Sequence, residues 1–174
     1  MAPKLENDEL IKEIVLDLFY SNKGNLDAVN AAIDAKFLRT GERSITLFEK
    51  FIRARLGVNP KVMKISNMEV TAVEAVYLSN YPDLKDLEFL DIRQNFIGDI
   101  GLSAIAQSKY MSRLKELDVR NNQISRVGAI ALYESPVLEN LEKVDLRLNK
   151  LGKRWETKLK ESSRFSKLHT VKSG

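Results

Sequence analysis

Residues 87–97 read LEFLDIRQNFI, and the same pattern returns as LKELDVRNNQI at 114–124 and as LEKVDLRLNKL at 141–151. Successive copies begin 27 residues apart. A period in the twenties is typical of a solenoid, in which each unit buries its apolar face only against its neighbours. The sequence therefore predicts a repeat architecture for this part of the chain.

Each copy alternates apolar and polar residues in the way expected of a short strand. Leu90 and Ile92 point to one side of an extended segment, and Asp91 points to the other. Strands of successive copies are expected to stack in parallel. Leu90, Leu117 and Val144 would then form one buried row.

An asparagine recurs at the end of each strand, as Asn95, Asn122 and Asn149. A side-chain amide that turns inward can satisfy backbone groups left open where a strand bends away. We expect these three residues to be structural and not ligands.

The pattern L-x-x-L-x-L-x-x-N-x-L resembles the leucine-rich repeat family, and the 27-residue length resembles its ribonuclease-inhibitor-like subtype. The resemblance covers residues 84–159. It implies an α/β fold, namely a short right-handed solenoid with a parallel sheet and with helices on the convex side. The segments GDIGLSAIA at 98–106 and SRVGAIAL at 125–132 supply the helical halves, with small residues where helices pack on strands.

Weaker copies extend the array at both ends. Met63 lies 27 residues before Leu90, and Val171 lies 27 residues after Val144. These positions predict a degenerate first repeat and a closing strand at 168–171. Lysines beside that strand suit a sheet edge that must not recruit further strands.

Residues 1–57 show the apolar spacing of three helices, the last from about Ser44 to Gly57. The predicted domains are an all-helical N-terminal cap at 1–57 and the solenoid with its closing strand at 58–174. A cap would cover apolar surface that a first repeat leaves open. The alternative is a recognition module, because KGNLDAV at 23–29 resembles the last helix of small ubiquitin-binding three-helix domains.

The composition excludes several classes of site. The chain has no cysteine and a single histidine, His169, so disulfide frameworks, thiolate metal sites and most acid-base schemes are not expected. No common hydrolase, phosphate-binding or zinc-protease motif is present. We expect no metal, no cofactor and no enzymatic activity. With no signal peptide and no apolar run of about 18 residues, we expect a cytoplasmic protein, or one delivered into a host cytosol.

Charge is unevenly distributed. Residues 147–174 contain nine Lys or Arg and two Glu, so this segment has a net charge of +7. The net charge of the whole chain is +4, so the remaining residues sum to −3. Such an end can bind nucleic acid or an anionic membrane surface. Because no aromatic residues alternate with the charges, we favour a solvated helix face and tail, and we do not expect a nucleic-acid partner.

In a solenoid of this kind, the outward side chains of the strands line the concave side and meet the partner. The predicted partner-binding residues are Phe89, Asp91 and Arg93, then Glu116, Asp118 and Arg120, then Lys143, Asp145 and Arg147. The repeated Asp and Arg columns have two interpretations: a network that neutralises itself, or an arginine row that grips a carboxylate-rich or phosphate-bearing partner. Phe89 is expected to be exposed as an aromatic anchor.

The sequence predicts a monomeric, non-catalytic protein that binds another protein, and inhibits or regulates it, through the concave strand face. The resemblance implies an inhibitor, adaptor or targeting subunit. Small cysteine-free proteins of this kind also resemble effectors, or effector regulators, of intracellular bacterial pathogens. The alternative is an electrostatic anchor or adaptor that uses the basic C-terminal region or the N-terminal helices.

Overall fold

A computed structural model describes residues 47–152 and 154–173. The first two predicted helices, the start of the third and the segment 23–29 lie outside these residues. The described elements alternate between helix and strand along the chain. In order they are α1 (Leu47–Val58), β1 (Val62–Lys64), α2 (Ala72–Ser79), β2 (Phe89–Asp91), α3 (Gly98–Gln107), β3 (Glu116–Asp118), α4 (Arg126–Tyr133), β4 (Lys143–Asp145), α5 (Trp155–Lys160) and β5 (Thr170–Lys172).

The five strands form one parallel sheet in chain order, and every paired residue is 27 positions from its partner. A 3₁₀ helix leads into β2 at Pro82–Asp86, and another precedes β3 at Lys109–Met111. The predicted α/β architecture with a parallel sheet is confirmed. The last strand begins two residues later than predicted, because Leu168 closes a turn in which its N–H donates to the Phe165 carbonyl at 3.0 Å.

The core lies between the strands and the helices. The predicted buried row is confirmed and runs through all five strands, since Met63, Leu90, Leu117, Val144 and Val171 are each at most 3% exposed. A second row two residues further on is also buried. It consists of Ile65, Ile92, Val119 and Leu146. Stacked rows of this kind mean that each repeat is stable only against its neighbours.

Helix α1 packs against the first repeat. Ile52 is 1% exposed and belongs to the common core. The buried carboxylate of Glu49 accepts a hydrogen bond from Tyr77 at 2.5 Å and lies 3.3 Å from Arg53, whose Nε donates to the Tyr81 hydroxyl at 2.7 Å. These contacts join α1 to the solenoid, while the domain boundary at residue 57 stays a prediction.

Buried serines form an additional ladder that the sequence analysis overlooked. Ser108 donates its hydroxyl hydrogen bond to the Ser79 carbonyl, and Ser135 donates to the Ala106 carbonyl at 2.5 Å. Each bond joins the turn after one helix to the helix of the preceding repeat. The 27-residue spacing of Ser108 and Ser135 is the signal that points to it.

Candidate functional site

The outward side chains of the strands and of the residues just after them form a surface that we call the concave face. The structure places all nine predicted residues on it, in three columns: Phe89, Glu116 and Lys143; Asp91, Asp118 and Asp145; and Arg93, Arg120 and Arg147. Neighbours within a strand column are about 5 Å apart. That these residues contact a partner stays a prediction.

Two of the three Asp–Arg pairs are closely joined. Arg120 donates hydrogen bonds to both carboxylate oxygens of Asp118 at 2.6, 2.9 and 3.1 Å. Arg147 holds Asp145 in the same way at 2.7, 2.9 and 3.2 Å. Arg120 also lies diagonally 3.4 Å from Asp145. In these two repeats the geometry favours the self-neutralising interpretation.

The ionisation of these pairs follows from the same contacts. Burial by itself raises the pKa of the Asp145 carboxyl. Hydrogen bonds from Arg147, with the nearby charge of Arg120, outweigh burial and lower that pKa below its ordinary value. The hydrogen bond to Asp118 raises the pKa of Arg120. The shifts of Asp145 and Arg120 both favour the charged form.

The first pair differs from the other two. Arg93 Nε lies 3.5 Å from the Asp91 carboxylate, which is 8% exposed, whereas the Arg93 side chain is 42% exposed. The Asp91 carboxylate also accepts a hydrogen bond from the Arg93 backbone N–H at 3.3 Å. The side chains of Arg120 and Arg147 are 26% and 40% exposed, so the first pair differs from both by its single long contact and not by exposure.

Phe89 is half-buried, whereas the sequence predicted an exposed ring. The ammonium of Lys64, from the adjacent strand, lies 5.8 Å from its ring centroid, and the ring lines one side of a shallow groove. That groove has a volume of about 170 Å³ and is also lined by Glu116, Asp118, Lys143, Asp145, Thr170 and Lys172. Neighbouring strands cover part of the ring, which strand alternation alone does not reveal.

Further ion pairs cross the repeats. Lys143 Nζ lies 2.8 Å from Glu116 within the first column. Beside the strands, Glu88 lies between Lys61 at 2.8 Å and Lys115 at 2.7 Å. Hydrogen bonds from Lys115 and then Lys61 lower the pKa of Glu88 to about 2. This ladder was not predicted, although residues 61, 88 and 115 are each 27 positions apart.

The asparagine row is structural, as predicted. Asn122 is 0% exposed, and its amide donates to the carbonyls of Ile92, Val119 and Arg120 at 2.9, 3.2 and 3.1 Å. The amide oxygen of Asn149 accepts from the N–H groups of Asn122 and Ile124. These side chains are fully engaged with the backbone.

The turns after the strands carry exposed apolar side chains. Met68, Phe96 and Leu148 are 41%, 54% and 75% exposed. Leu148 also has a left-handed backbone with φ of 59°, which a branched apolar side chain rarely adopts. This rim borders the concave face.

The basic end is partly engaged in local contacts. Lys160 Nζ lies 2.8 Å from Glu156, Lys167 donates to the Asn140 side chain at 2.6 Å, and Arg164 donates to the Glu134 carbonyl at 3.1 Å. A groove of about 650 Å³ beside α5 is lined by residues of both charges. Local contacts therefore account for part of this positive charge.

The described part of the chain contains no candidate metal-binding site. Across residues 47–152 and 154–173, no group of three or more His, Asp or Glu is placed to hold a metal ion. Within the same residues, no helix is both long and apolar enough to span a bilayer.

Comparison with known families supports the repeat assignment. Residues 84–106 and 111–132 match the family model described as Leucine Rich repeat, and they extend from the turn before β2 to α4. The parallel sheet with its helices is an α/β architecture consistent with a leucine-rich repeat solenoid. Leucine-rich repeats commonly mediate interactions between proteins and are typically non-catalytic scaffolds. A comparison with curated proteins found no match for this chain.

Proposed function

We propose that this leucine-rich repeat protein binds a partner protein through the concave face and thereby inhibits or regulates it. The observation that carries the proposal is the surface of strands β1 to β5. It combines a half-buried aromatic ring with ordered charged columns on a rigid sheet. Most of the charges are already paired, so the surface can be desolvated by a complementary protein at a lower cost than isolated charges would impose.

Inhibition is the form of regulation that suits this geometry. The strands present side chains from five successive segments at fixed spacing, so the face can cover an extended surface on a partner. A partner whose functional surface meets this face would lose access to its own substrates. The charged columns would set the register of the complex, and Phe89 would supply apolar contact area.

Two finer assignments belong to the same proposal. The repeats have a period of 27 residues, and each contains one helix; α2 and α4 have eight residues and α3 has ten. This pattern supports the ribonuclease-inhibitor-like subtype. We also propose a role as an effector or effector regulator of an intracellular bacterium, acting in the cytoplasm. This role follows from the resemblance alone, and a captured partner of host origin would be needed to support it.

The test uses two charge-swapped variants of the full chain. The double variant Glu116→Lys, Lys143→Glu reverses the charges of one ion pair on the concave face and retains the pair. Its matched control, Glu156→Lys, Lys160→Glu, reverses an ion pair of the same 2.8 Å length on α5. Each immobilised protein is used to capture partners from nuclease-treated lysate.

We expect one protein to be held by the wild type and the α5 variant and lost by the concave variant. Retention by the concave variant would show that the interface lies elsewhere. Loss by the α5 variant alone, with steep weakening as salt rises, would move the function to the basic end.

A further inference from the structure

The column of outward residues that contains the three aspartates ends in a lysine at both edges of the sheet, Lys64 on β1 and Lys172 on β5. Lys64 is the one that lies beside Phe89 and the strand that leads to Arg93. Lys64 is exposed, and within the described residues no carboxylate lies within salt-bridge distance of its ammonium group. The ammonium lies 5.8 Å from the centroid of the Phe89 ring. At the equivalent position of the next three strands stand Asp91, Asp118 and Asp145. The acidic column therefore begins with a cation.

Arg93 adds a second available cation at the same end. Its guanidinium makes a single long contact of 3.5 Å with Asp91, whereas Arg120 and Arg147 each hold both oxygens of an aspartate. Arginines at the same repeat position thus differ in how many of their N–H groups already donate to an aspartate. The Arg93 guanidinium can donate two parallel hydrogen bonds to a carboxylate, which is the bidentate geometry that arginine favours.

An apolar pair lies one row before Lys64, on the side away from Arg93. Val62 and Phe89 are paired in register on strands β1 and β2, and both side chains are half-buried. Glu116, the next member of that column, is neutralised by Lys143 at 2.8 Å. The local surface consequently presents two positive groups beside an aromatic and an aliphatic side chain.

We propose that this end of the concave face, formed by Val62, Lys64, Phe89 and Arg93, binds an acidic segment of the partner that also carries an apolar side chain. Carboxylates of the segment pair with Arg93 and Lys64, and its apolar residue rests on Phe89 and Val62. Charge complementarity carries the choice of an acidic partner, because Lys64 has no carboxylate within salt-bridge distance among the described residues and Arg93 makes only one 3.5 Å contact with Asp91. The proposal rests on the protein-binding function proposed above and specifies its chemistry.

The probe is a pool of synthetic hexapeptides with Asp or Glu at four positions and Leu or Phe at the other two. A second pool carries Lys in place of every acid. Each pool is titrated into the isotope-labelled full chain, and backbone amide shifts are followed by NMR. We expect the acidic pool to shift amides of 62–66 and 89–94, and the basic pool to shift none of them.

Variants then separate this patch from the rest of the face. Arg93→Gln and Phe89→Ala are each expected to weaken binding of the acidic pool about tenfold. Arg113→Gln is the matched control, since Arg113 lies before β3, outside the concave face, and donates to Asp86 at 2.7 Å; it should change binding less than about twofold. Circular dichroism of each variant verifies folding, and Lys64→Gln provides a second test if a Phe89 variant unfolds.

Three results would overturn the assignment: no binding of the acidic pool, equal binding of the basic pool, or equal losses in Arg93→Gln and Arg113→Gln. A captured partner that depends on the Glu116 and Lys143 charges but not on Arg93 or Lys64 would leave the proposed function standing and remove only this inference. A partner indifferent to all four residues would remove both.

Discussion

Asn122 shows how one buried side chain supports several backbone groups. Its amide serves the carbonyls of Ile92, Val119 and Arg120, and its oxygen accepts from the Ile97 N–H at 3.4 Å. In an Asn122→Ala variant these groups lose their partner inside the core. We expect the free energy of unfolding to fall by about 3 kcal/mol, measured by urea denaturation.

Asn149 is the control for that prediction, because it occupies the equivalent position but is only half-buried. Asn149→Ala should cost less, since water can reach the groups that it exposes. Equal losses in the two variants would mean that burial does not set the cost.

Leu148 is a strained residue at the same scale. Its φ of 59° matches that of its repeat equivalent Asn121, at 51°, but asparagine adopts this region far more readily than leucine. With 75% of Leu148 exposed, its replacement removes little packing. We expect Leu148→Asn to raise the free energy of unfolding by about 0.5–1 kcal/mol.

The reverse substitution, Asn121→Leu, should lower the stability by a similar amount in the same denaturation experiment. If Leu148→Asn instead destabilises the chain, the leucine makes contacts that outweigh its backbone strain.

At the level of elements, the start of α4 depends on a close contact with the preceding repeat. The Asp99 carboxylate accepts hydrogen bonds from the N–H groups of Ser125 and Gly128 at 2.7 and 2.9 Å. A Cβ on Gly128 would lie 2.6 Å from Asp99 Oδ1 and 2.8 Å from an Ile124 methyl carbon. We expect Gly128→Ala to destabilise the protein by about 2 kcal/mol, measured as a lower thermal midpoint.

Gly57 in α1 provides the contrast, because nothing lies within 4 Å of an added Cβ there. Gly57→Ala should be neutral or stabilising by up to about 1 kcal/mol. A harmless Gly128→Ala would indicate that α4 can move away from Asp99 at little cost.

The Glu88 ladder joins three repeats and makes a prediction about pH. Glu88 has a folded-state pKa of about 2, below its ordinary value of 4.5, because Lys115 and Lys61 bond its charged form. A lowered pKa means that the contribution to stability is complete above about pH 4.5. It is lost as the pH falls toward 2.

We therefore expect the stability difference between the wild type and Glu88→Gln to be largest near neutral pH and to fade in acid. NMR titration of the Glu88 side chain measures the pKa directly, and Lys115→Ala should return it toward 4.5. An ordinary pKa in the wild type would show that the ladder does not persist in solution.

At the scale of the whole molecule, α1 and the solenoid are expected to unfold together. Ile52 lies in the common core near the first strand, whereas Trp155, the single tryptophan, lies at the far end and is 4% exposed. Ile52→Ala should lower stability by about 3 kcal/mol. The unfolding midpoint should shift equally when followed by Trp155 fluorescence and by circular dichroism.

A shift seen by circular dichroism but not by fluorescence would mean that the two ends unfold separately. Removal of residues 1–57 is the stronger perturbation, because it deletes most of α1 and uncovers the core around β1. We expect an insoluble or unfolded remainder. A well-folded remainder would instead favour a separate N-terminal recognition module.

Features that repeat every 27 residues could be predicted, because in-register stacking converts a sequence period into spatial adjacency. The buried rows, the asparagine ladder and the common face of the nine site residues all follow from that period. The Lys61–Glu88–Lys115 ladder and the buried serines have the same spacing, so the 27-residue period could have predicted them as well. The start of β5 was misplaced because a turn holds Leu168, and turns do not follow the repeat.

The α/β architecture, the register of the sheet and the common face of the strand residues can be predicted from the repeat period, because stacking in register places equivalent positions side by side. The difference between the three arginines is visible only in three dimensions. Arg93, Arg120 and Arg147 are equivalent in sequence, but two of them close on an aspartate and one remains open. Side-chain geometry depends on every neighbour in space, and the carboxylate of Asp91 is 8% exposed whereas those of Asp118 and Asp145 are each 17% exposed.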